Sequence, residues 1–381
     1  MTAIAWFTRD LRVRDNPALR AALDDAEHVI PVFCLDDRIL HGRHASGPRT
    51  QFLLDCLGGL DAELRERGGC LVIRRGRPED ELPKLCADVV HRMRDVTPFA
   101  RRRRVEAVEH PGLMVAELAK PYEVFSPFHR AWEREPRREV LEAPRRIRLP
   151  DGIDPGRIPT LHELGLKQEL VDPKPRLSAH LHLGTVSPLE VEQQSPQLAR
   201  KLAWRDFFHQ VLLNHPENLH HEHQERYRDT LDWNEDPEAL AAWKEGRTGF
   251  PFVDAGMRQL KREGWIPNHV RLVVASFLIK QLGIDWREGE RHFMRLLLDG
   301  DEANNNGNWQ WIASVGVDPA PYWRRLYNPT RQQERHDPDG EYVRRYVPEL
   351  GTPDYPEPIV DQREAREEAI ERYRAAAGSA A

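Results

Sequence analysis

Cysteine is scarce in this chain of 381 residues. Four occur (Cys34, Cys56, Cys70 and Cys86), none in a C-x-x-C pair. That pattern excludes a disulfide framework and leaves no thiolate set for structural zinc or an iron–sulfur cluster. The thiols are expected to be buried and reduced. Lysine is scarce too, with eight among 56 basic residues. Long apolar runs are missing. The longest, Val270 to Ile279, is too short to span a bilayer, and Arg9 and Asp10 interrupt the N-terminus before a secretory core can form. With 31% charged residues, the chain reads as globular and cytoplasmic, with no membrane partner. A general positive field is absent as well. The net charge is -6, so a polyanion has to be met by a local patch. No G-x-G-x-x-G and no Walker loop follows the first apolar run.

What is present divides along the chain. Ile4–Thr8, Val29–Leu35, Cys70–Arg74 and Val89–Met93 are short apolar runs of the buried-strand kind, and Tyr122–Phe128 is expected to add another. Helical stretches such as Gln51–Arg67 lie between them. This alternation predicts an α/β, Rossmann-like parallel sheet within residues 1–132. Arg101–Arg104 reads as a solvated helix face. Residues 133–165 have the Pro-, Gly- and Arg-rich composition of a connector. Residues 166–381 are expected to be all-helical, with helices over Pro188–Gln193, Pro196–Asn214, Pro237–Glu245, Val253–Glu263, Pro267–Leu282, Gly289–Leu298 and Asp361–Ala377. Several of them open at a proline, which suits a first helical turn.

Ten tryptophans are a high count for this length, and most fall in the helical part. The segment from Leu298 to Trp311 is polar and bulky at once. Asp299 and Asp301 flank Gly300, Asn304, Asn305 and Asn306 follow, and Trp309 and Trp311 close it. Consecutive asparagines are poor helix interior but good at presenting amides to a bound group. No Ser/His/Asp set or carboxylate pair accompanies them. His220, His221 and His223 read as a solvated loop rather than a metal site.

This string resembles the flavin-binding signature of the DNA photolyase and cryptochrome family. The resemblance continues through Trp6-Phe-Thr-Arg-Asp-Leu-Arg, Val124-Phe-Ser-Pro-Phe, Arg176-Leu-Ser-Ala-His-Leu-His-Leu-Gly and Leu202-Ala-Trp-Arg-Asp-Phe-Phe. It then runs through Gly246-Arg-Thr-Gly-Phe-Pro-Phe-Val-Asp-Ala-Gly-Met-Arg and Val270-Arg-Leu-Val-Val-Ala-Ser-Phe-Leu-Ile-Lys to Tyr355-Pro-Glu-Pro-Ile-Val-Asp, in the family's order. It implies an antenna domain, a connector and a helical domain holding non-covalent FAD. The implied activity is light-driven splitting of cyclobutane pyrimidine dimers in UV-damaged DNA by electron transfer from reduced flavin. Such chemistry asks the protein to position and tune a cofactor.

Carried over motif by motif, the resemblance puts Asn305 near the flavin N5. Arg176, Leu177 and Ser178 fall near the pyrophosphate, and Asp299, Gly300 and Asp301 at the ribose and adenine end. Arg271 is expected to pair with Asp299, and Asn268 is the surviving residue of another flavin-side motif. Trp309, Trp286 and Trp233 match the electron relay. Trp204 and Trp311 match aromatic walls for a flipped lesion, with Lys201, Arg205, His269 and Gln332 as further DNA contacts, and Arg324 and Arg325 as plausible ones. A folate or deazaflavin antenna in the first domain, no metal, and a monomer complete what the family implies.

Three departures stand out. Lys201 occupies a position where dimer-repair enzymes usually carry glutamate, and lysine has donors but no acceptor. Pro267-Asn268-His269 replaces the usual His-Asn-Arg. The stretch expected before Arg176 is largely missing, with Lys174 as a substitute phosphate contact. Two alternatives follow: a cryptochrome-like light sensor without repair, or repair of (6-4) or single-stranded lesions.

Overall fold

The computed structural model describes residues 1–318 and 321–378. The chain forms two compact units. The first comprises Met1–Gln168, Pro175–Pro216 and Leu298–Ala303, and the second Glu169–Lys174, Glu217–Leu297 and Asn304–Ala381.

The first unit is built on a parallel sheet of β1 (Thr2–Phe7), β2 (His28–Leu35), β3 (Val72–Arg75), β4 (Val89–Met93) and β5 (Val108–His110), in the order β3-β2-β1-β4-β5. Ile4 pairs with Ile30 on one side and Val90 on the other. Ile4, Trp6, Ile30, Val32 and Val72 share one buried cluster, which is why the central strands are nearly continuous apolar runs. The helix Pro17–Asp25 starts where the Asn16 side chain accepts from the Leu19 N–H, and Gly47–Arg65 starts on Ser46, each with a proline in its first turn. The α/β reading of this region therefore holds, with two corrections. Tyr122–Phe128 is not a strand. It leads into the helix Phe125–Arg134, where Phe125, Phe128 and Trp132, three and four apart, share the buried face. The fifth strand is the short Val108–His110, which carries no apolar run to betray it.

Helix Phe125–Arg134 runs two residues into the expected connector, and residues 135–165 form no strand and no α-helix. They are laid along the sheet unit by backbone hydrogen bonds, Arg148 O accepting from Val29, Arg67 O from Ile147 and Pro155 O from Ile73. The Asp15 carboxylate, fully buried at a residue with φ of 52°, holds this segment through Arg138 and the Leu141 N–H. Cys34 and Cys70 are buried as expected, but Cys56 is only partly covered and Cys86 is exposed in a left-handed turn. The arginine run departs from its expected solvation at one point, where Arg103 turns inward over Trp6 and Phe99.

The second unit is helical. Asn268–Ser276 passes directly into a π-helical turn, Phe277–Gln281, where a single helix is expected. Trp286–Leu296 is capped by Asp285, whose side chain accepts from the Arg287 N–H. The three asparagines lie inside the helix Glu302–Ala313, although consecutive asparagines are poor helix interior. Tertiary partners for their amides, described below, override the weak local preference. Among the described residues, no helix is long and apolar enough to cross a membrane.

Candidate active site

In the first unit the centre is Asp301. The Arg9 guanidinium pairs with it, His209 Nε2 lies 3.2 Å away and His182 Nδ1 3.7 Å away. Burial alone would favour the neutral acid, yet His209, Arg9 and His182 hold the Asp301 carboxyl well below its ordinary range. Burial pushes His209 down to about 4. A neutral His209 with its proton on Nε2 therefore donates to Asp301, while Arg9 carries the compensating charge. Arg49, half-buried, adds a second guanidinium whose charge acts on Asp299 and Asp301. Asp301 is thus tied into an ion cluster rather than left free for a ribose. Arg9 and His182 stood in quoted motifs without a role, and His209 had no signal. Two expected cofactor residues do meet: Ser178 Oγ donates to Asp299 Oδ2 at 2.6 Å. Arg176 and Leu177 beside them are exposed, and Gly300 is buried.

The second unit carries the amide. Asn305 is buried, and its Nδ2 donates to both the backbone oxygen and Oε1 of Glu290, each at 3.1 Å. Both amide hydrogens are taken, so Asn305 has its oxygen left to offer. Asn306 and Gln310 anchor the same helix by donating to Asn218 O. Trp309 is buried edge-on to Phe293 at 5.1 Å and near Trp243 at 6.3 Å. A Cβ on Gly289 would come within 2.1 Å of the Trp309 ring, so only glycine fits there. Trp286 is buried and donates from Nε1 to Glu222, and Trp233 is partly exposed. Asn268 is exposed at a helix start, and Arg271 Nε donates to Ile266 O. Lys174 ion-pairs with Asp172 and Glu263, which accounts for its charge without a phosphate.

The residues expected at DNA are distributed over both units. On the helix Ala199–Asn214, Lys201 is exposed and Trp204 half-buried, stacked on Phe125 at 3.7 Å with 5° between planes. Arg205 is a correction. Its guanidinium points inward, donating to Leu113 O at 2.6 Å and Leu181 O at 3.3 Å beside Asp206, which makes it a strut of the first unit rather than a phosphate contact. In the second unit Trp311 is half-buried and donates from Nε1 to Asp318. Arg325 is a second correction: it is buried, whereas Arg324 beside it is exposed. His269 is exposed and stacks on His336 at 4.6 Å, and burial followed by His336 lowers its pKa. Gln332 is half-buried on Pro329–His336.

A flavin dinucleotide needs an acceptor or donor amide for its ring edge, carboxylate and hydroxyl groups for its ribose, and cations for its pyrophosphate. Each unit carries part of that chemistry, the Asp299–Ser178 pair and Arg176 in the first and the Asn305 amide in the second, so the donor types present fit FAD.

A family model for the FAD binding domain of DNA photolyase matches residues 198–353, and one for DNA photolyase matches residues 3–111. The chain is 38% identical to the deoxyribodipyrimidine photo-lyase of Streptomyces griseus, with 96% of this chain and 97% of that protein covered. It is 33% identical to that of Escherichia coli, with 98% and 99% covered. These alignments run over 447 and 469 positions, longer than the chain, so both relatives carry segments that it lacks. The archaeal photolyase of Sulfolobus tokodaii, solved with two FAD molecules, matches with a TM-score of 0.89 at 31% identity, covering 98% of this chain and all of that one. A Synechocystis cryptochrome matches at 0.87 with 25% identity, covering 97% of this chain and 98% of that one. Similarity of this extent along the whole chain makes it a member of the DNA photolyase family, an FAD-binding enzyme of the deoxyribodipyrimidine photo-lyase kind.

Proposed function

We propose that this photolyase splits cyclobutane pyrimidine dimers in DNA. Once held by this chain's residues, reduced FAD would supply the chemistry, a light-driven electron lent to the dimer and returned after the cyclobutane bonds break. The observation that carries the reading is the amide of Asn305, locked by Glu290 with its oxygen free to accept from the ring edge of a reduced flavin. Arg176, Leu177, Ser178, Asn268, Arg271, Asp299 and Gly300 hold the cofactor in this reading. Asp301 acts through the Arg9 and histidine cluster, fixing the segment that bears Asp299. Trp309, Trp286 and Trp233 pass electrons inward from the surface, the buried members first and the partly exposed one last.

Trp204 and Trp311 stack the flipped lesion. A base on an aromatic face is worth roughly 1–3 kcal/mol, enough to offset much of the few kcal/mol that flipping a damaged nucleotide costs. Lys201, exposed, donates to a lesion carbonyl or phosphate, and His269 and Gln332 contact the flanking strand. The second chromophore, a folate or deazaflavin, belongs in the first unit. A cavity of about 330 Å³ there, lined by Arg38, Arg77, Glu79, Asp80, Arg102 and Arg104, lies where the chain leaves the carboxyl ends of β2, β3 and β4. The protein works as a monomer.

The test is blue-light repair of a dimer-containing oligothymidylate by reduced, FAD-loaded protein, read as recovery of thymine absorbance. Repair is the expected result. Retained, photoreducible flavin without repair sinks the dimer reading and leaves a light sensor or a different lesion.

A further inference from the structure

Trp311 is held by two charged residues. Asp318 Oδ2 accepts from Trp311 Nε1 at 3.0 Å and from Arg325 Nη2 at 2.6 Å. The Arg325 guanidinium carbon lies 4.0 Å from the centroid of the Trp311 ring, over one of its faces. Arg325 is only 2% exposed, whereas Trp323 in the same short 3-10 turn, Tyr322–Arg325, is 58% exposed. That turn is anchored at both ends. Tyr322 stacks on Tyr373 at 5.0 Å, and Ser276 Oγ donates to Arg325 O at 2.9 Å.

Burying a guanidinium is unfavourable, and a close-packed apolar side chain would fill the same space at no electrostatic cost. Two groups that fix both the tilt and the rotation of an indole do what an apolar filler cannot. The planar fork of arginine can lie on a ring face and reach a carboxylate at the same time.

We propose that Arg325 and Asp318 are positioning residues for lesion recognition. The guanidinium occupies one face of Trp311 and the carboxylate pins its N–H, so a flipped pyrimidine dimer meets only the opposite face, at a fixed angle. This rests on the reading of Trp311 as a lesion wall. Freed of either residue, the ring would sample other rotamers, and the dimer would lose a preorganised stacking surface.

The experiment measures dissociation constants of FAD-loaded protein for a duplex bearing one thymine dimer and for the same duplex undamaged. The variants are W311A, R325L, R325K, D318N and the double variant W311A/R325L. R325L is expected to weaken dimer binding about tenfold, the scale of a desolvated cation–π contact, and to leave undamaged binding and FAD content within about twofold. R325K recovers part of the loss, D318N shows a smaller loss, and R325L adds little on top of W311A because it acts through that ring. Equal loss on both duplexes, or additive losses in the double variant, overturns the positioning role. W311A weakening dimer binding while R325L, R325K and D318N do not overturns it too, and leaves the wall reading standing. W311A without effect on dimer binding removes the wall reading itself. If R325L fails to retain FAD, R325K and D318N decide by the same criteria.

Discussion

Arg9 in the first unit, with its side chain 12% exposed, and Lys280 in the second are cations largely withdrawn from solvent, and their surroundings differ in kind. Arg9 pairs with the buried carboxylate of Asp301 and faces Asp95 as well, so that despite burial its pKa is raised. Lys280, 1% exposed, reaches the Ala313 carbonyl at 3.2 Å and lies 3.5 Å from the centroid of the Tyr373 ring. Among the described residues no carboxylate pairs with it. Burial, then Arg325 and Arg372, lower its pKa well below the usual range. Around Arg9 the first unit buries charge as a matched cluster, whereas Lys280 in the second sits among neutral groups, the Ala313 carbonyl and the Tyr373 ring, although that unit elsewhere pairs Arg325 with Asp318. Removing one cation should therefore leave a stranded anion, and removing the other should leave nothing stranded.

The largest expected effect follows from Arg9. Arg9→Met leaves Asp301 buried beside two histidines without its guanidinium, and breaking such a pair costs about 3–5 kcal/mol. Urea unfolding monitored by tryptophan fluorescence reads it. A loss below about 1 kcal/mol would show that the cluster is more hydrated than its burial implies, and the contrast between the units would lapse.

The pH dependence of the first unit sharpens the same contrast, because two of its buried aspartates, Asp301 and Asp206, shift in opposite directions. Asp301 is depressed, so its contribution is present above the unfolded carboxyl range and is lost as pH falls through its low folded value. Asp206 goes the other way. Burial outweighs Arg205, Trp132 Nε1 and two backbone N–H groups and pushes it up to about 6. The folded state therefore holds the Asp206 proton more tightly than the unfolded chain does. Its contribution is full below pH ~4 and falls as pH rises to ~6, a swing of about 1–3 kcal/mol. Comparing D206N with the parent protein by unfolding at pH 4.5 and pH 7 checks this. Equal differences at both pH values would mean that Asp206 titrates as an ordinary carboxylate.

What the sequence disclosed follows the reach of each interaction. Strands β1 to β4 announced themselves as local apolar runs, and the motif strings carried Asn305, Trp309 and Trp204 to positions with definite partners. Glu290 was invisible, since nothing fifteen positions away signals that its carboxylate will lock the Asn305 amide. The helix under the asparagine run was hidden for the same reason, because it depends on Glu290 and Asn218, which only the fold supplies. Arg205 and Arg325 were expected at DNA from the resemblance, as phosphate or backbone contacts beside Trp204 and Trp311. Both point inward, to carbonyls 24 and 92 positions away for Arg205 and to an indole and a carboxylate for Arg325. Gly289 carried no signal either, although the Trp309 ring leaves no room for any other residue.

The smallest expected effect is at Lys280, and its sign is the informative part. Because its folded pKa lies below the value of the unfolded chain, the unfolded state binds the proton more readily, and stability rises with pH between the two values. Lys280→Met removes the desolvated ammonium and forgoes the Ala313 carbonyl and Tyr373 ring contacts. An apolar replacement for a buried ion is commonly neutral to stabilising, so a gain of about 1 kcal/mol is expected at pH 7. The gain should shrink at pH 9.5, where the native lysine loses its charge at less expense. Urea unfolding at both pH values decides it. A loss of 3 kcal/mol or more would mean that Lys280 is paired as tightly as Arg9, and the two sites would then handle buried charge alike.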